Sequence, residues 1–270
     1  LNFRARVLSI YIQLNLRSDG IMKKGVKIII AVVAALLAAC LLGLIITGAQ
    51  IGWGPFASLY SWDKEVDPIV EKYDAKQRQG EIIFYGASNF KLWTELDNDF
   101  SGYKVQNHAF GGSTDKLLVE YADKLLYPYN PKIVFFQTGS NDYVSLSGTD
   151  GEKVKACMEY KRQMFDEFHK RLPDAKFVVM SGLLLPGRSE YTEITQMIND
   201  ELEKYCDTKD YMYFVDSEEM TYKNGEYRSD LFIKDGIHLN HEGQLLWRDE
   251  YIKPALDRVI EENGFEDVLR

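Results

Sequence analysis

The chain has 270 residues, of which 46% are hydrophobic and 27% charged, with a formal net charge of −9; that is enough apolar material for one α/β domain with a full core and an appendage. The charge is unevenly divided, since residues 1–48 carry six Lys/Arg against one Asp, a net of +5 that leaves −14 for the remainder. So acidic a globular part argues against a nucleic-acid partner, because phosphate binding needs a basic face.

In chain order, residues 1–27 read as a cytoplasmic N-terminal segment, in which Met22-Lys23-Lys24 has the character of a natural start and residues 1–21 that of an upstream extension. Residues 28–48, IIIAVVAALLAACLLGLIITG, are 21 residues without a charge, long enough to cross a hydrocarbon core of about 30 Å as a transmembrane helix. Lys23, Lys24 and Lys27 lie just before it. The positive-inside rule therefore puts the N-terminus in the cytoplasm and everything after Gln50 outside, which makes this a single-pass cell-membrane protein with an extracytoplasmic domain. Two alternatives stay open for the segment: lipidation at Cys40 after Leu37-Ala38-Ala39, and removal as a signal peptide.

Residues 49–80 read as a linker and an amphipathic helix. Ile51-Gly52-Trp53-Gly54-Pro55-Phe56 is aromatic and glycine-rich, as at a bilayer interface, and Asp63 to Gln79 has a helical pattern closed by Gly80. From residue 81 to 270, strands and helices alternate. Apolar, β-branched runs at Glu81–Tyr85, Lys104–Phe110, Lys132–Thr138, Lys176–Ser181 and Tyr211–Val215 predict five strands. Amphipathic stretches at Thr114–Tyr127, Gly151–Arg171, Tyr191–Cys206 and from His241 onward predict helices. Such alternation favours a parallel sheet with helices on both faces.

The polar chemistry collects where these strands end. Ser88 stands in Gly86-Ala87-Ser88, directly after the first strand, and Asp235-Gly236-Ile237-His238 offers an imidazole and a carboxylate three residues apart. A serine hydroxyl is a poor nucleophile at neutral pH unless an imidazole takes its proton, and a carboxylate best fixes that imidazole's tautomer. Two more polar loops follow predicted strands: Asn107-His108-Ala109-Phe110-Gly111-Gly112-Ser113-Thr114 and Gly139-Ser140-Asn141-Asp142. Glycine lets a backbone N–H approach an oxyanion closely, and asparagine supplies a neutral side-chain donor.

Four elements in this order, Ser in a G-x-S turn, Gly, Asn and a D-x-x-H loop, resemble the SGNH (GDSL-like) hydrolase superfamily over roughly Glu81 to Pro254. The phrases Phe110-Gly111-Gly112-Ser113, Gly139-Ser140-Asn141-Asp142 and Asp235-Gly236-Ile237-His238-Leu239-Asn240 resemble a bacterial branch of membrane-anchored, esterase-type members. The resemblance implies a three-layer α/β/α sandwich with a five-stranded parallel sheet, flavodoxin-like in topology. It implies Ser88 as nucleophile, His238 as general base, Asp235 as its orienting acid, and an oxyanion hole from the backbone N–H groups of Ser88 and Gly112 and the side chain of Asn141. Gly112 is preferred to Gly111 because its distance from Asn107 fits the family pattern, with Gly111 left to permit the turn. The family's Asp before the nucleophile is replaced by Ala87, a departure that touches pocket detail more than chemistry.

The activity implied is hydrolysis of short O-acyl esters on small molecules, glycans or lipids, with no cofactor and no metal. Alternatives are an acyltransferase using the same residues, a binding module that has lost turnover, and a flavodoxin-like nucleotide binder. Other residues have plainer readings beside functional ones. Ser88 could cap a helix. His238 and His241 have metal-pair spacing without a third ligand. His108 and His169 read as structural or solvated, and Asp142 as binding the backbone of its own loop. Phe90, Trp93 and Tyr143 either line an acyl pocket or belong to the core. Arg188, after Pro186-Gly187, either meets an anionic substrate at a loop tip or is exposed surface. Cys157 and Cys206 lack CxxC spacing and read as small apolar residues in helices.

Overall fold

β1 (Ile82–Gly86), β2 (Val105–Asn107), β3 (Ile133–Gln137), β4 (Lys176–Met180) and β5 (Met212–Val215) form one parallel sheet in the order β2-β1-β3-β4-β5 in the computed structural model, which describes residues 61–138 and 140–270. The segment at 28–48, the residues before it and most of the linker lie outside the described residues. Among the described residues no helix is long and apolar enough to cross a membrane.

Parallel strands need crossover connections, and helices in those crossovers cover both faces of the sheet. Side-chain alternation along each strand divides the interior accordingly. Ile83, Tyr85, Val134, Phe136 and Phe177 enter one core, while Ile82, Phe84, Ile133, Phe135 and Val178 enter the other. Helices Asp63–Lys72, Asp115–Leu125, Asp150–Arg171 and Thr192–Cys206 close the first core, and helices His241–Trp247 and Lys253–Asn263 close the second. The result is a three-layer α/β/α sandwich.

Local chemistry sets the helix starts. Thr149 forms a capping box with Glu152 ahead of the 22-residue helix Asp150–Arg171, and the Thr114 hydroxyl accepts from the N–H of Leu117. Asn240 caps the helix that begins at His241, its side chain accepting from Gly243 N–H at 2.9 Å.

Three predicted elements have different bounds. The helix at residue 63 ends at Lys72 rather than Gln79. Tyr73 turns extended, its carbonyl held by the Tyr129 hydroxyl at 2.8 Å, and the Asp74 carboxylate then accepts from the N–H of Lys76. β2 stops at Asn107 instead of Phe110 because the Asn107 side chain accepts from Ala109 N–H at 3.2 Å and donates to the Phe90 carbonyl at 2.7 Å, which turns the chain out of the strand. The last helix is interrupted by a π-helical turn at Arg248–Ile252, just before Pro254, whose ring nitrogen has no proton to continue the ladder. The four-residue helices at Ser88–Lys91, Leu96–Asp99, Asn141–Val144 and Glu218–Thr221 and the hairpin Tyr222–Tyr227 carry too few residues for a periodic signal.

The strand order reverses direction between β1 and β3, and in such sheets the crevice outside the carboxyl ends at this reversal receives ligands. The loop after β1 carries Ser88, and that after β3 carries Asn141.

Candidate active site

Ser88 is the first residue of the short helix after β1, and the capping position falls on Ala87, whose backbone is extended. The hydroxyl is thus not spent on a helix cap. Its Oγ lies 2.8 Å from His238 Nε2, across 150 residues of sequence. On the other side of the ring, His238 Nδ1 lies 2.6 Å from Asp235 Oδ2.

The Asp235 carboxylate is held from three directions. Its Oδ1 accepts from the backbone N–H of Ile237 at 2.8 Å and of His238 at 3.0 Å, while Oδ2 meets the imidazole. Burial by itself would push this carboxyl up, but the bonds from the His238 ring and from the Ile237 and His238 N–H groups outweigh it and hold the group below the usual carboxylate range. An ionised Asp235 can only accept, so Nδ1 carries the proton and Nε2 is left to accept the Ser88 O–H. This is the tautomer a general base needs.

Asn141 opens the short helix after β3 and lies on the same cleft as Ser88. Its Nδ2 donates to the Ser113 carbonyl at 3.0 Å, leaving one amide proton for a ligand, while Oδ1 accepts from the Arg188 guanidinium at 3.4 Å. Arg188 also donates to the Ser140 hydroxyl. It is half-buried and lines the cleft, so it is neither a free loop tip nor open surface; it fixes which end of the Asn141 amide faces Ser113. Gly112 takes the left-handed backbone, φ +71°, whereas Gly111 does not, so the turn falls to Gly112. A Cβ at Gly112 would lie 2.9 Å from the Trp62 ring. Of the five residues read from sequence, Ser88, Asp235 and His238 form one hydrogen-bonded chain, Asn141 lines their cleft, and Gly112 stands outside that lining, linked to it through the neighbouring Ser113.

The remaining candidates divide. Tyr143 lines the cleft, its hydroxyl 2.6 Å from Thr195 Oγ1, but Phe90 and Trp93 are core residues packed on Trp247. Asp142 reaches beyond its own loop, its Oδ1 accepting from Asp115 N–H at 2.9 Å. His241 faces Gln244 and Asp99. His108 is buried between the Leu125 carbonyl and Gln106, and burial pushes it down to about 3, so it is neutral. Cys157 and Cys206 are free and buried, their thiols pushed up by burial to about 11 and about 12. Among the described residues no group of three His, Cys, Asp or Glu is placed to hold a metal ion.

Four features escape the sequence reading. The Asn89 side chain clasps the histidine loop, accepting from Leu239 N–H at 3.0 Å and donating to the Ile237 carbonyl at 3.3 Å, one residue either side of His238. Gly187 and Gly236 interlock: Gly187 N–H donates to the Gly236 carbonyl at 2.8 Å, and a Cβ on Gly187 would fall 2.2 Å from the Asp235 carbonyl oxygen. Lys161, 3% exposed, donates to Asp115 Oδ2 at 2.8 Å and to Thr138 Oγ1 at 2.5 Å beneath the Asn141 loop. Burial would lower the lysine, but Asp115 and Asp142 raise it and keep it charged. Its signal was present, a lysine within the buried stripe Val154, Cys157, Met158, Met164, Phe165 and Phe168. Gln137, the last residue of β3, lies on the Ser88 cleft. Neither Asn89 nor Gln137 has any such sequence signal.

A doubly wound sheet with a Ser–His–Asp hydrogen-bonded chain at its carboxyl edge defines a class, the α/β proteins with a hydrolase-type site. The model of the GDSL-like lipase/acylhydrolase family matches residues 52–246, and the chain belongs to this family. Its fold is similar to that of a candidate acylhydrolase from Bacteroides fragilis NCTC 9343, at 14% identity over 75% of this chain and 98% of the other, with a TM-score of 0.59. It is also similar to a GDSL-like lipase from Bacteroides thetaiotaomicron VPI-5482, at 16% identity over 73% and 95% with a TM-score of 0.54. A third similar structure is the C-terminal catalytic domain of peptidoglycan O-acetyltransferase A from Streptococcus pneumoniae, at 17% identity over 68% and 96% with a TM-score of 0.50. A comparison with curated proteins finds no match.

Proposed function

We propose that the protein is a serine esterase that removes short O-acyl groups from glycan, lipid or small-molecule alcohols, with Ser88, His238 and Asp235 as its triad. The observation that carries this reading is the unbroken chain Asp235–His238–Ser88, at 2.6 and 2.8 Å. Ser88 Oγ attacks the ester carbonyl as its proton passes to His238 Nε2. The resulting oxyanion is met by the free amide proton of Asn141 and by the N–H of Ser88, both on the cleft, with the N–H of Gly112, which stands outside the lining, reaching it once substrate is bound. Collapse breaks the bond to the alcohol, which takes the proton from Nε2, and water repeats the sequence on the acyl-enzyme. The cleft beside Ser88 has a volume of about 30 Å³. So small a space beside the nucleophile favours short acyl groups over long chains.

Residues 28–48 are proposed as the anchor that holds this domain outside the cell membrane. The acyl-enzyme could equally pass its group to a sugar hydroxyl, since the same residues serve either acceptor; the similarity to an O-acetyltransferase domain favours keeping this second reading.

The test is hydrolysis of p-nitrophenyl acetate, butyrate and octanoate by the membrane-inserted full chain, alongside labelling by a fluorophosphonate. Acetate should turn over best, and Ser88→Ala should lose turnover by several orders of magnitude together with labelling. A folded wild-type protein that neither turns over nor labels overturns the proposal. Adding an oligosaccharide acceptor and measuring acylated product against free acid separates transfer from hydrolysis.

A further inference from the structure

Arg188 brings more donors to the Ser88 cleft than the protein itself uses. Its Nη1 donates to the Ser140 hydroxyl and to Asn141 Oδ1, the latter at 3.4 Å, which engages both protons of that nitrogen. Nε and Nη2 have no partner among the described residues. They are not sealed off either: Arg188 is half-buried, and among the described residues none of the unpartnered side-chain atoms closed to solvent belongs to it. Nε–H and Nη2–H lie parallel along one edge of the guanidinium, spaced to meet both oxygens of a carboxylate.

Its charge is unmatched as well. Among the described residues Arg78, Arg162, Arg171, Arg228, Arg248 and Arg258 each pair with a carboxylate, whereas Arg188 pairs with none, although the domain as a whole is acidic. Holding the Asn141 amide takes one neutral N–H, so the positive charge on this wall is left for the substrate to match. The position of the wall says which part of the substrate does so. The leaving alcohol takes its proton from His238 Nε2 and departs beside the imidazole, and His238 is not part of the lining that Arg188 shares with Asn141 and Leu185. This cleft therefore receives the acyl group. From the oxyanion, a hydrogen bond to Asn141 Nδ2, the width of the amide and the contact with Nη1 span at most about 9 Å, a gap that a short acyl chain ending in a carboxylate bridges.

Resting on the serine-esterase reading, we infer that the site takes half-esters of short dicarboxylic acids, such as malonyl and succinyl esters, and that Nε and Nη2 of Arg188 bind the free carboxylate and select these groups over neutral acyl groups of the same shape. A carboxylate and a primary amide fill nearly the same volume. Discrimination between them comes from the charge and the paired hydrogen bonds, which an amide, with one acceptor oxygen and its own N–H groups facing the guanidinium, does not reproduce.

The experiment compares kcat/KM of the full chain for the benzyl half-esters of malonic and succinic acid with the values for benzyl malonamate and succinamate, at neutral pH. A carboxylate withdraws electrons less than an amide does, so intrinsic reactivity runs against the expected preference. The wild type should favour at least one half-ester by about tenfold or more, the range for hydrogen bonds to a charged group. Arg188→Gln should bring the ratio to one or below, and Arg188→Lys, which keeps the charge without the fork, should retain part of the preference. An arginine that only orients Asn141 loses the same factor on both esters of a pair and leaves the ratio where it was. Fluorophosphonate labelling of Ser88 is followed in parallel. Labelled wild-type protein with no preference, or a preference unchanged in Arg188→Gln, overturns the inference and leaves the esterase reading standing. So does a preference seen only when the carboxylate is on the alcohol, read from the acetyl ester of 4-(hydroxymethyl)benzoate against that of its amide. Absence of labelling brings down the esterase reading itself. The wild-type comparison needs no variant, so a misfolded substitution does not remove the test.

Discussion

Asp235 accepts three hydrogen bonds, and that count explains why a partly exposed carboxylate can control an imidazole. Two of the three come from the backbone of its own loop, so the carboxylate stays put and only the third bond is available to the ring. Asp235→Asn exchanges one acceptor oxygen for an N–H₂ group, so that the amide can donate to Nδ1 and drive the proton to Nε2. The expected outcome is a fall in kcat of about 10⁴-fold with little change in KM, as for other serine triads given the wrong tautomer; steady-state kinetics on p-nitrophenyl acetate checks it. The residues of this chain were legible because their chemistry is unusual at strand ends: Ser88 directly follows an apolar strand, and Asp235 and His238 share one short loop. Asn89 was not legible, because an asparagine that clasps a loop 150 residues away is identical in sequence to one on a helix surface. For the same reason the sequence leaves Arg188 open between a contact for an anionic substrate and exposed surface, and only its contacts with Ser140 and Asn141 give it a place beside the cleft.

Elements hold the site through close backbone approach as much as through side chains. The loop at 186–188 docks on the triad loop where Gly187 meets Gly236, whose φ of +65° suits glycine. A Cβ at Gly187 would press on the Asp235 carbonyl, a backbone atom with no rotamer to escape into. Gly187→Ala should therefore move Asp235 and Arg188 together. The expected outcome is a protein that folds with a lowered Tm and loses about 100-fold in kcat, the scale of a displacement of about 1 Å in a catalytic group; thermal melting and the rate of fluorophosphonate labelling read the two effects. The five strands and the main helices could be read from periodicity within a few residues. Where bounds moved, a single side-chain bond decided the matter: the Asn107 side chain ends β2, and the Tyr73 carbonyl, held by Tyr129 from 56 residues away, ends the helix that begins at Asp63. Such bonds depend on partners that sequence periodicity does not register.

At the scale of the whole domain, a buried cluster of Lys161, Asp115 and Asp142 ties the helix Asp150–Arg171 to the base of the Asn141 loop. Burial first, and the Asp115 charge second, raise the Asp142 carboxyl above the ordinary carboxylate range. The folded protein thus binds that proton more tightly than the unfolded chain does, and stability linked to it falls as pH rises from the unfolded value of about 4 through the raised folded value. Asp142→Asn removes the charge and keeps an oxygen for Asp115 N–H. Its Tm should exceed that of the wild type at pH 8, with the gain shrinking toward zero near pH 4; melts across this range check the sign. The same scale separates what sequence and tertiary structure each decided. Composition, the alternation of strands and helices and the order of four short loops determined the sandwich, its parallel sheet and the residues proposed for the chemistry, because these depend on local periodicity and on residue types at strand ends. The folded chain alone decided that Phe90 and Trp93 belong to the core while Tyr143, Arg188 and Gln137 line the cleft. It also decided that Gln137 Oε1 there is buried without a partner, because burial and hydrogen-bond satisfaction depend on which distant segments close over a side chain.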